Sequence, residues 1–436
     1  MSGHDTHRLA VRILRGFAAG LLAGIGARWL ASWRPEAAPG IEWFAAQICD
    51  PLGQVFLRLL FWVVAPLVFA SLTNGMLQLG RLDRLGPLAW RTFALFAANM
   101  IIGATLGLLI LNLLNPGEVM DPESRQAMLE RYGGRAGELE AQANRLESFS
   151  LRLLVDLLLP ANLLKAIVEF QMLPLIGFAL LIGGVGLQLG EGARQGLGRA
   201  MTVLTDLMTG LIHAAMRLAP YAVPAMIFGV VARLGWDYLQ SLLLFLAGVL
   251  AAMAIHLFGV LSLAIRCLAG QSPRRFFRAI RTVLVTAFST SSSNATLPTS
   301  IQVARENLGI SAPTAGFVLP LGATMNMSGT ALYEGCVVLF IAQVYGLPLS
   351  LPEQALLVGL AVLSAVAVAG IPGGSLPLIV GLLVNFGLPS EGIALVLGAD
   401  RLLDMARTTV NSVADLVTAC VVDRSDAGGE PAEPPP

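Results

Sequence analysis

Six apolar runs, each long enough to cross a lipid bilayer, limit what this chain can fold into more than any other feature. They cover residues 11–33, 41–77, 89–114, 151–189, 201–234 and 236–269. Roughly 18–20 apolar residues in helical form span the hydrocarbon core. The chain therefore reads as an all-α polytopic membrane protein. Its balance agrees: 56% of residues are apolar and 13% charged, against about 25% charged in a soluble protein. A globule of that composition could not cover its surface, so a soluble enzyme, a nucleic-acid binder and a disordered scaffold are excluded.

The loops carry the orientation. Arg8, Arg12 and Arg15 precede the first run, and Arg81, Arg84 and Arg91 follow the second. Arg194 and Arg199 follow the fourth, and Arg274, Arg275, Arg278 and Arg281 follow the sixth. Basic loops stay on the cytoplasmic side, which puts both termini inside a multi-pass protein of the inner (plasma) membrane. The polar, basic start lacks a cleavage site, so uncleaved insertion is expected. Residues 115–150 read as an external loop, and residues 425–436, ending GGEPAEPPP, as a disordered tail. Cys49, Cys267, Cys336 and Cys420 are scattered without metal spacing and read as small apolar fillers.

The C-terminal third is patterned differently. Residues 276–309 are broken by Ser289-Thr-Ser-Ser-Ser-Asn-Ala-Thr-Leu-Pro298, and residues 351–387 by Gly370-Ile-Pro-Gly-Gly-Ser375. Each half is too short to span, so each pair predicts a re-entrant helical hairpin. A full-length apolar segment follows each hairpin, at 314–345 and 392–422. Two such units in tandem suggest an inverted repeat, and broken segments at matching positions point to a transporter's substrate site.

Within the last segment stand Asp400, Arg401, Asp404, Arg407, Thr408, Asn411 and Asp415. Steps of three and four from Asp400 through Asp404, Thr408 and Asn411 to Asp415 put these on one helical stripe, with Arg407 beside Asp404. A charge at the bilayer centre costs about 2.5–3.5 kcal/mol, so the stripe must face protein, water or a ligand. One reading is a structural ion-pair ladder among Asp404, Arg401 and Arg407; the other is a binding cradle. In the preceding segment, 322–330, Gly, Asn, Ser and Thr crowd a helix interior beside Pro320. An unwound break there frees carbonyls for a hard cation, whereas a kink packs helices closely. His213 and His256 stand singly in apolar helices and read as interhelical hydrogen-bonding partners. No catalytic signature of an intramembrane enzyme is present.

At these motifs, SSSNATLP, NMSGTALYEG, GIPGG and DMARTTVN, the sequence resembles the dicarboxylate/amino acid:cation symporter family of glutamate and aspartate transporters. The resemblance implies eight transmembrane helices plus two re-entrant hairpins, a homotrimer in membrane lipid and an elevator mechanism. Scaffold spans 1–2 would occupy residues 1–88 and scaffold spans 4–5 residues 151–235. Span 3 at 89–114 and residues 236–424 would form the moving transport domain. It further implies that Arg407 grips the substrate's side-chain carboxylate and Asp404 its α-amino group, with Thr408, Asn411 and Thr330 completing the cradle. Ser292, Ser293, Ile371, Pro372 and Gly373 would contribute from the hairpin tips. One sodium site would use Asp415, Asn411, Gly322 and Asn326; a second would use Thr324, Met327, Val366 and Val368.

Charge then separates the substrates. Arg407 in a dry site needs an anion and Asp404 needs a cation, which an acidic amino acid supplies together. L-glutamate or L-aspartate is the leading expectation, a C4-dicarboxylate the alternative, with a neutral amino-acid carrier or an anion channel behind. The chain also departs from the family's sodium-driven pattern. Ser328 stands where a third sodium site has Asp, and Phe96, Asn99 and Met100 stand where hydroxyl residues are usual. That site is expected to be empty. Glu334 occupies the position at which mammalian relatives carry a proton, so coupling to at most two sodium ions, with protons, is expected.

Overall fold

The computed structural model describes residues 3–79, 86–119, 162–168, 172–234, 236–368, 370 and 372–426. Arg81 and Arg84, the expected external loop from residue 120 on, the start of the fourth run, Ile371 and the tail beyond 426 lie outside them. No strand occurs among the described residues.

One group of helices packs around α3. Helix α1 (Gly3–Trp33) leads through α2 (Ala38–Phe44) and a π-turn at Ala45–Cys49 into α3 (Asp50–Leu79). After α4 (Gly86–Leu114) and the short α5 (Leu163–Val168) come α6 (Met172–Leu187), α7 (Glu191–Met216) and α8 (Ala219–Leu234). Helix α3 packs on α6, α7 and α8, while α1 lies along α8. The α1–α8 approach depends on Gly16, Gly20 and Gly24, one small stripe at every fourth position. A Cβ on Gly20 would strike the backbone of Pro224, and one on Gly24 would meet Val231 Cβ at 2.8 Å. At the end of α8, Arg233 clamps two carboxylates: Nε donates to Glu42 at 3.0 Å and Nη2 to Asp50 at 3.0 Å.

A second group surrounds the C-terminal helix. It comprises α4 with α9 (Trp236–Ile255), α10 (Leu261–Cys267), α11 (Pro273–Ala279), α12 (Arg281–Thr290), α13 (Ser293–Glu306) and α14 (Ala312–Met325). To these are added α15 (Ser328–Val344), α16 (Leu351–Ala367), α17 (Leu376–Asn385) and α18 (Leu397–Asp426). Helix α18 packs on α12, α14, α15 and α4, and α15 packs on α4 and α16. Every residue of α15 is buried.

Local chemistry sets the breaks. Helix α12 ends on Ser291 with φ +50°, a left-handed cap, and Ser292 caps α13 by accepting from the Ala295 N–H at 3.2 Å. Helices α12 and α13 then pack on each other. Helix α16 starts with a capping box of Ser350 and Glu353, and α17 begins with Pro377 in its first turn, where a missing N–H costs nothing. Between α14 and α15 the helix is interrupted at Asn326 and Met327, with ψ of 72° and 60°.

Three expectations are corrected. The apolar run 201–234 is not one straight span: α7 and α8 are bent by 58°, where Arg217 and Leu218 leave the helix ahead of Pro220. Because α7 starts at Glu191, Arg194 and Arg199 belong to a helix, where Arg194 pairs with Glu191. Among the described residues three helical stretches, Leu88–Val119, Leu239–Cys267 and Ala312–Val344, are long and apolar enough to cross a membrane, or four with the bent pair. The run 11–33 lies on the 31-residue helix α1, and most of the run 41–77 on the 30-residue helix α3. Cys267 is exposed and fills no core, unlike Cys49, Cys336 and Cys420.

Candidate functional site

Helix α18 brings four charged side chains into the protein interior. Asp400, Arg401, Asp404 and Arg407 are each at most 5% exposed. Arg407 donates to Asp404 Oδ1 from Nε at 2.9 Å and from Nη2 at 2.7 Å. Arg401 Nη1 lies 3.4 Å from Asp404 Oδ2, and the Gly373 N–H reaches the same oxygen at 3.1 Å. Arg407 Nη1 stands 3.8 Å from Asp400 Oδ1, which accepts the Tyr333 hydroxyl at 2.9 Å. The Arg407 guanidinium also lies over the Tyr333 ring, 4.9 Å from its centroid. Two carboxylates and two guanidiniums cancel, which lets the group be buried. Within it Arg407 Nη1, Arg401 Nε and Arg401 Nη2 lack a hydrogen-bond acceptor among the described residues.

The loop between α16 and α17 roofs this group. Gly373, with φ +74°, brings its N–H to Asp404; a side chain there would be strained. Gly370 accepts from Ser292 Oγ at 2.7 Å and from the Asn294 N–H at 3.3 Å, joining the two hairpin tips. A Cβ on Gly370 would stand 3.0 Å from the Ala323 carbonyl and 3.1 Å from Asn294 Oδ1, so only glycine fits without adjustment. Ser293 is buried beside that junction, and Pro372 is half-buried.

One turn further along α18 the chemistry becomes that of oxygen ligands. Asn411 Oδ1 accepts from the Gly329 N–H at 2.7 Å, and its Nδ2 donates to Thr330 Oγ1 at 3.1 Å. Asn411 thus spans the start of α15, with buried Thr408 beside it. Asp415 is 4% exposed and accepts from Asn326 Nδ2 at 2.9 Å. Asn326 Oδ1 in turn accepts from Asn99 of α4 at 3.2 Å. Asp415 presses against Gly322 so closely that a Cβ there would strike its carboxylate. No cationic side chain pairs with Asp415 among the described residues. Nor do three His, Cys, Asp or Glu side chains cluster there. A cation held here would therefore take carboxylate, amide and carbonyl oxygens, the set that suits a hard alkali ion.

Of the remaining expected ligands, Asn326 and Met327 form the break itself. Thr324 is exposed and turns its hydroxyl back to the Leu321 carbonyl at 2.9 Å. Helix α16, which ends beside Val366 and buried Val368, packs on the same helix α14. Glu334 is fully buried, and among the described residues the hydroxyl of Ser364 is the polar group that faces its carboxyl. Phe96 and Met100 fill apolar space, and Ser328 Oγ has no partner. The expectation for His256 is corrected: it is buried in a π-turn and neither ring nitrogen forms a hydrogen bond among the described residues, where apolar α4 offers Gly103.

Sequence reasoning missed Tyr333, which supports both Asp400 and Arg407. Its signal was a lone phenol in an apolar helix, three residues after Thr330, since a buried tyrosine hydroxyl seeks a partner.

Comparison with known proteins agrees with this geometry. A family model described as the sodium:dicarboxylate symporter family matches residues 9–425. The chain is 30% identical to a proton/sodium-glutamate symport protein of Geobacillus stearothermophilus, over 87% of this chain and 88% of that protein. It is 29% identical to the proton/glutamate-aspartate symporter of Escherichia coli strain K12, over 95% and 92%. A C4-dicarboxylate transport protein of Deinococcus radiodurans is 31% identical over 86% and 83%. With the match running through both hairpins, the helix break and the charged stripe, the chain belongs to the sodium:dicarboxylate symporter family.

Proposed function

We propose that the protein carries an acidic amino acid, L-glutamate or L-aspartate, into the cell together with cations. The observation that carries this reading is the buried Asp404–Arg407 pair. An acidic amino acid can part that pair without leaving either side chain's charge alone: its ammonium replaces Arg407 at Asp404, its side-chain carboxylate replaces Asp404 at Arg407, and Asn411 meets its α-carboxylate. The roof over Asp404 is a single N–H from Gly373, so the amine enters by displacing the tip between α16 and α17. Thr408, Asn411 and Thr330 line the continuation of the cradle, and Ser292, Ser293 and Pro372 close it from the hairpin tips.

Sodium fits the Asp415 end, with Asn411, Asn326 and the carbonyl of Gly322; a second ion fits between Thr324, Met327 and the Val366–Val368 end of α16. The chain is then a transporter and not an enzyme. It has eight spans and two hairpins, sits in the inner membrane with both termini cytoplasmic, and assembles as a homotrimer. The α3-centred helices are the scaffold, and the α18-centred helices are the elevator. Uptake of labelled aspartate, glutamate and succinate into proteoliposomes, with sodium and pH gradients imposed separately, tests this reading. Uptake confined to succinate under every gradient would refute it.

One observation favours a C4-dicarboxylate as the second reading. Arg401 is a further buried guanidinium with two nitrogens that find no partner among the described residues, and a second carboxylate could use it. Asp404→Asn separates the two. It removes the acceptor of the ammonium, so amino-acid affinity should fall about tenfold or more while succinate affinity holds or improves. Equal losses for both substrates would make Asp404 a structural residue.

Glu334 supports proton coupling. Its buried carboxyl faces the Ser364 hydroxyl and the more distant charge of Arg407, with no ion pair among the described residues, and a proton is the ion that fits this space. Glu334→Gln is expected to abolish the response of uptake to an imposed pH gradient while retaining the response to sodium. An unchanged pH response, or three sodium ions per substrate in reversal-potential measurements, would overturn this coupling scheme.

A further inference from the structure

At the end of the membrane span built from α9 and α10, a cleft of about 540 Å³ is lined by Phe258, Ser262, Phe277, Arg274, Arg278 and Arg281. The three arginines are exposed, and they fall at the first, fifth and eighth positions of 274–281, one face of the turn that leads into the first hairpin. No acidic side chain lines the cleft, and none of the three forms an ion pair among the described residues. Three like charges around one cleft repel each other unless an anion sits between them.

The other wall is apolar. Phe258, on the π-turn between α9 and α10, is 60% exposed, and its ring lies 5.3 Å from that of Phe277. Ser262, one turn further on, adds a hydroxyl to the floor. Apolar surface continues away from the arginines through Leu263 and Val285, which are 63% and 69% exposed. A free phosphate would use the guanidiniums and leave that surface wet. A phospholipid uses both, with its phosphodiester among the arginines and its acyl chains against the rings and along α10 and α12.

We propose that this cleft is a binding site for the headgroup of an anionic phospholipid of the cytoplasmic leaflet. Basic pockets between helices on that side hold such headgroups, and the arginine-rich end of this span is the cytoplasmic one by charge distribution. The site holds the foot of the first hairpin, since Arg281 begins α12. Its placement rests on the membrane orientation given above and not on which substrate is carried.

The test uses the full chain, purified, stripped of lipid and titrated with phosphatidylglycerol or phosphatidylcholine under native mass spectrometry. Wild type should bind phosphatidylglycerol about tenfold more tightly than phosphatidylcholine. The triple variant Arg274→Gln, Arg278→Gln, Arg281→Gln should lose that preference, and Arg278→Lys, which keeps the charge, should retain it. Equal binding of the two lipids by wild type, or an undiminished preference in a folded triple variant, would overturn the proposal. If millimolar inorganic phosphate displaces phosphatidylglycerol, the cleft is a free-anion site and the lipid assignment is wrong. Should the triple variant fail to fold, Phe258→Ala decides: weaker phosphatidylglycerol binding supports the lipid, and unchanged binding excludes the apolar wall.

Discussion

Arg407→Cys is expected to lower uptake of aspartate and glutamate by more than about a hundredfold. The guanidinium supplies both short hydrogen bonds to Asp404, and its Nη1 is one of the open donors of the group among the described residues. Removing one partner of a buried pair costs about 3–5 kcal/mol, and each 1.4 kcal/mol is about a factor of ten in affinity. The loss should be selective. With Arg407 gone, a neutral amino acid still presents its ammonium to Asp404 and brings no side-chain charge that needs a partner. Binding of serine or alanine should therefore survive or increase, as measured by competition in proteoliposomes and direct titration of the purified variant. Undiminished aspartate affinity would remove Arg407 from the site. Because the variant leaves Asp400 and Asp404 close together, Arg407→Cys combined with Asp404→Asn gives a check on folding. That double variant should be as stable as wild type and bind neither class.

Asp415→Asn is expected to raise the sodium concentration that half-saturates substrate binding by at least about tenfold. The carboxylate lies buried with one amide donor and no paired cation among the described residues, and an uncompensated charge out of water is costly. A bound cation compensates it; the neutral amide needs no such ion and attracts it less. Asparagine keeps the size, so Gly322 can still pack against it, and Asn326 can meet the new side chain by turning its own amide. A sodium titration of labelled aspartate binding in detergent reads the effect. An unchanged sodium dependence would remove Asp415 from the cation site and leave it a structural partner of Asn326.

Much of this architecture is legible in one dimension. The hairpin turn at 291–293 follows from a serine run that caps one helix and starts the next. The break after Met325 follows from a polar, glycine-containing stretch where a membrane helix wants leucine. The stripe from Asp400 to Asp415 follows from residue spacing alone. Legibility fails where helices are chosen by their neighbours. In the run 201–234 Pro220 marks where a helix could stop, but nothing there gives the start at Glu191 or the 58° turn. The position of that bend is set by packing of α7 on α3 and of α8 on α1.

The sequence by itself determined that the chain is helical and apolar, that its charges collect on one stripe, and that its hairpins break where glycine, proline and serine allow. Period and composition are local properties, readable wherever a helix repeats. Only the tertiary structure decided who meets whom. It pairs Arg407 with Asp404 and sets Tyr333 beneath the guanidinium. It brings Gly373 down onto the same carboxylate, and leaves Asp415 with an amide where a cation could stand. Those partners come from segments far apart in the chain, and a buried charge takes whichever partner the packing of four helices brings within reach. For that reason spacing alone admits a ladder beside the favoured cradle. The folded arrangement shows the ladder, Arg401 and Arg407 on Asp404, and the cradle is the proposed reading of the same side chains.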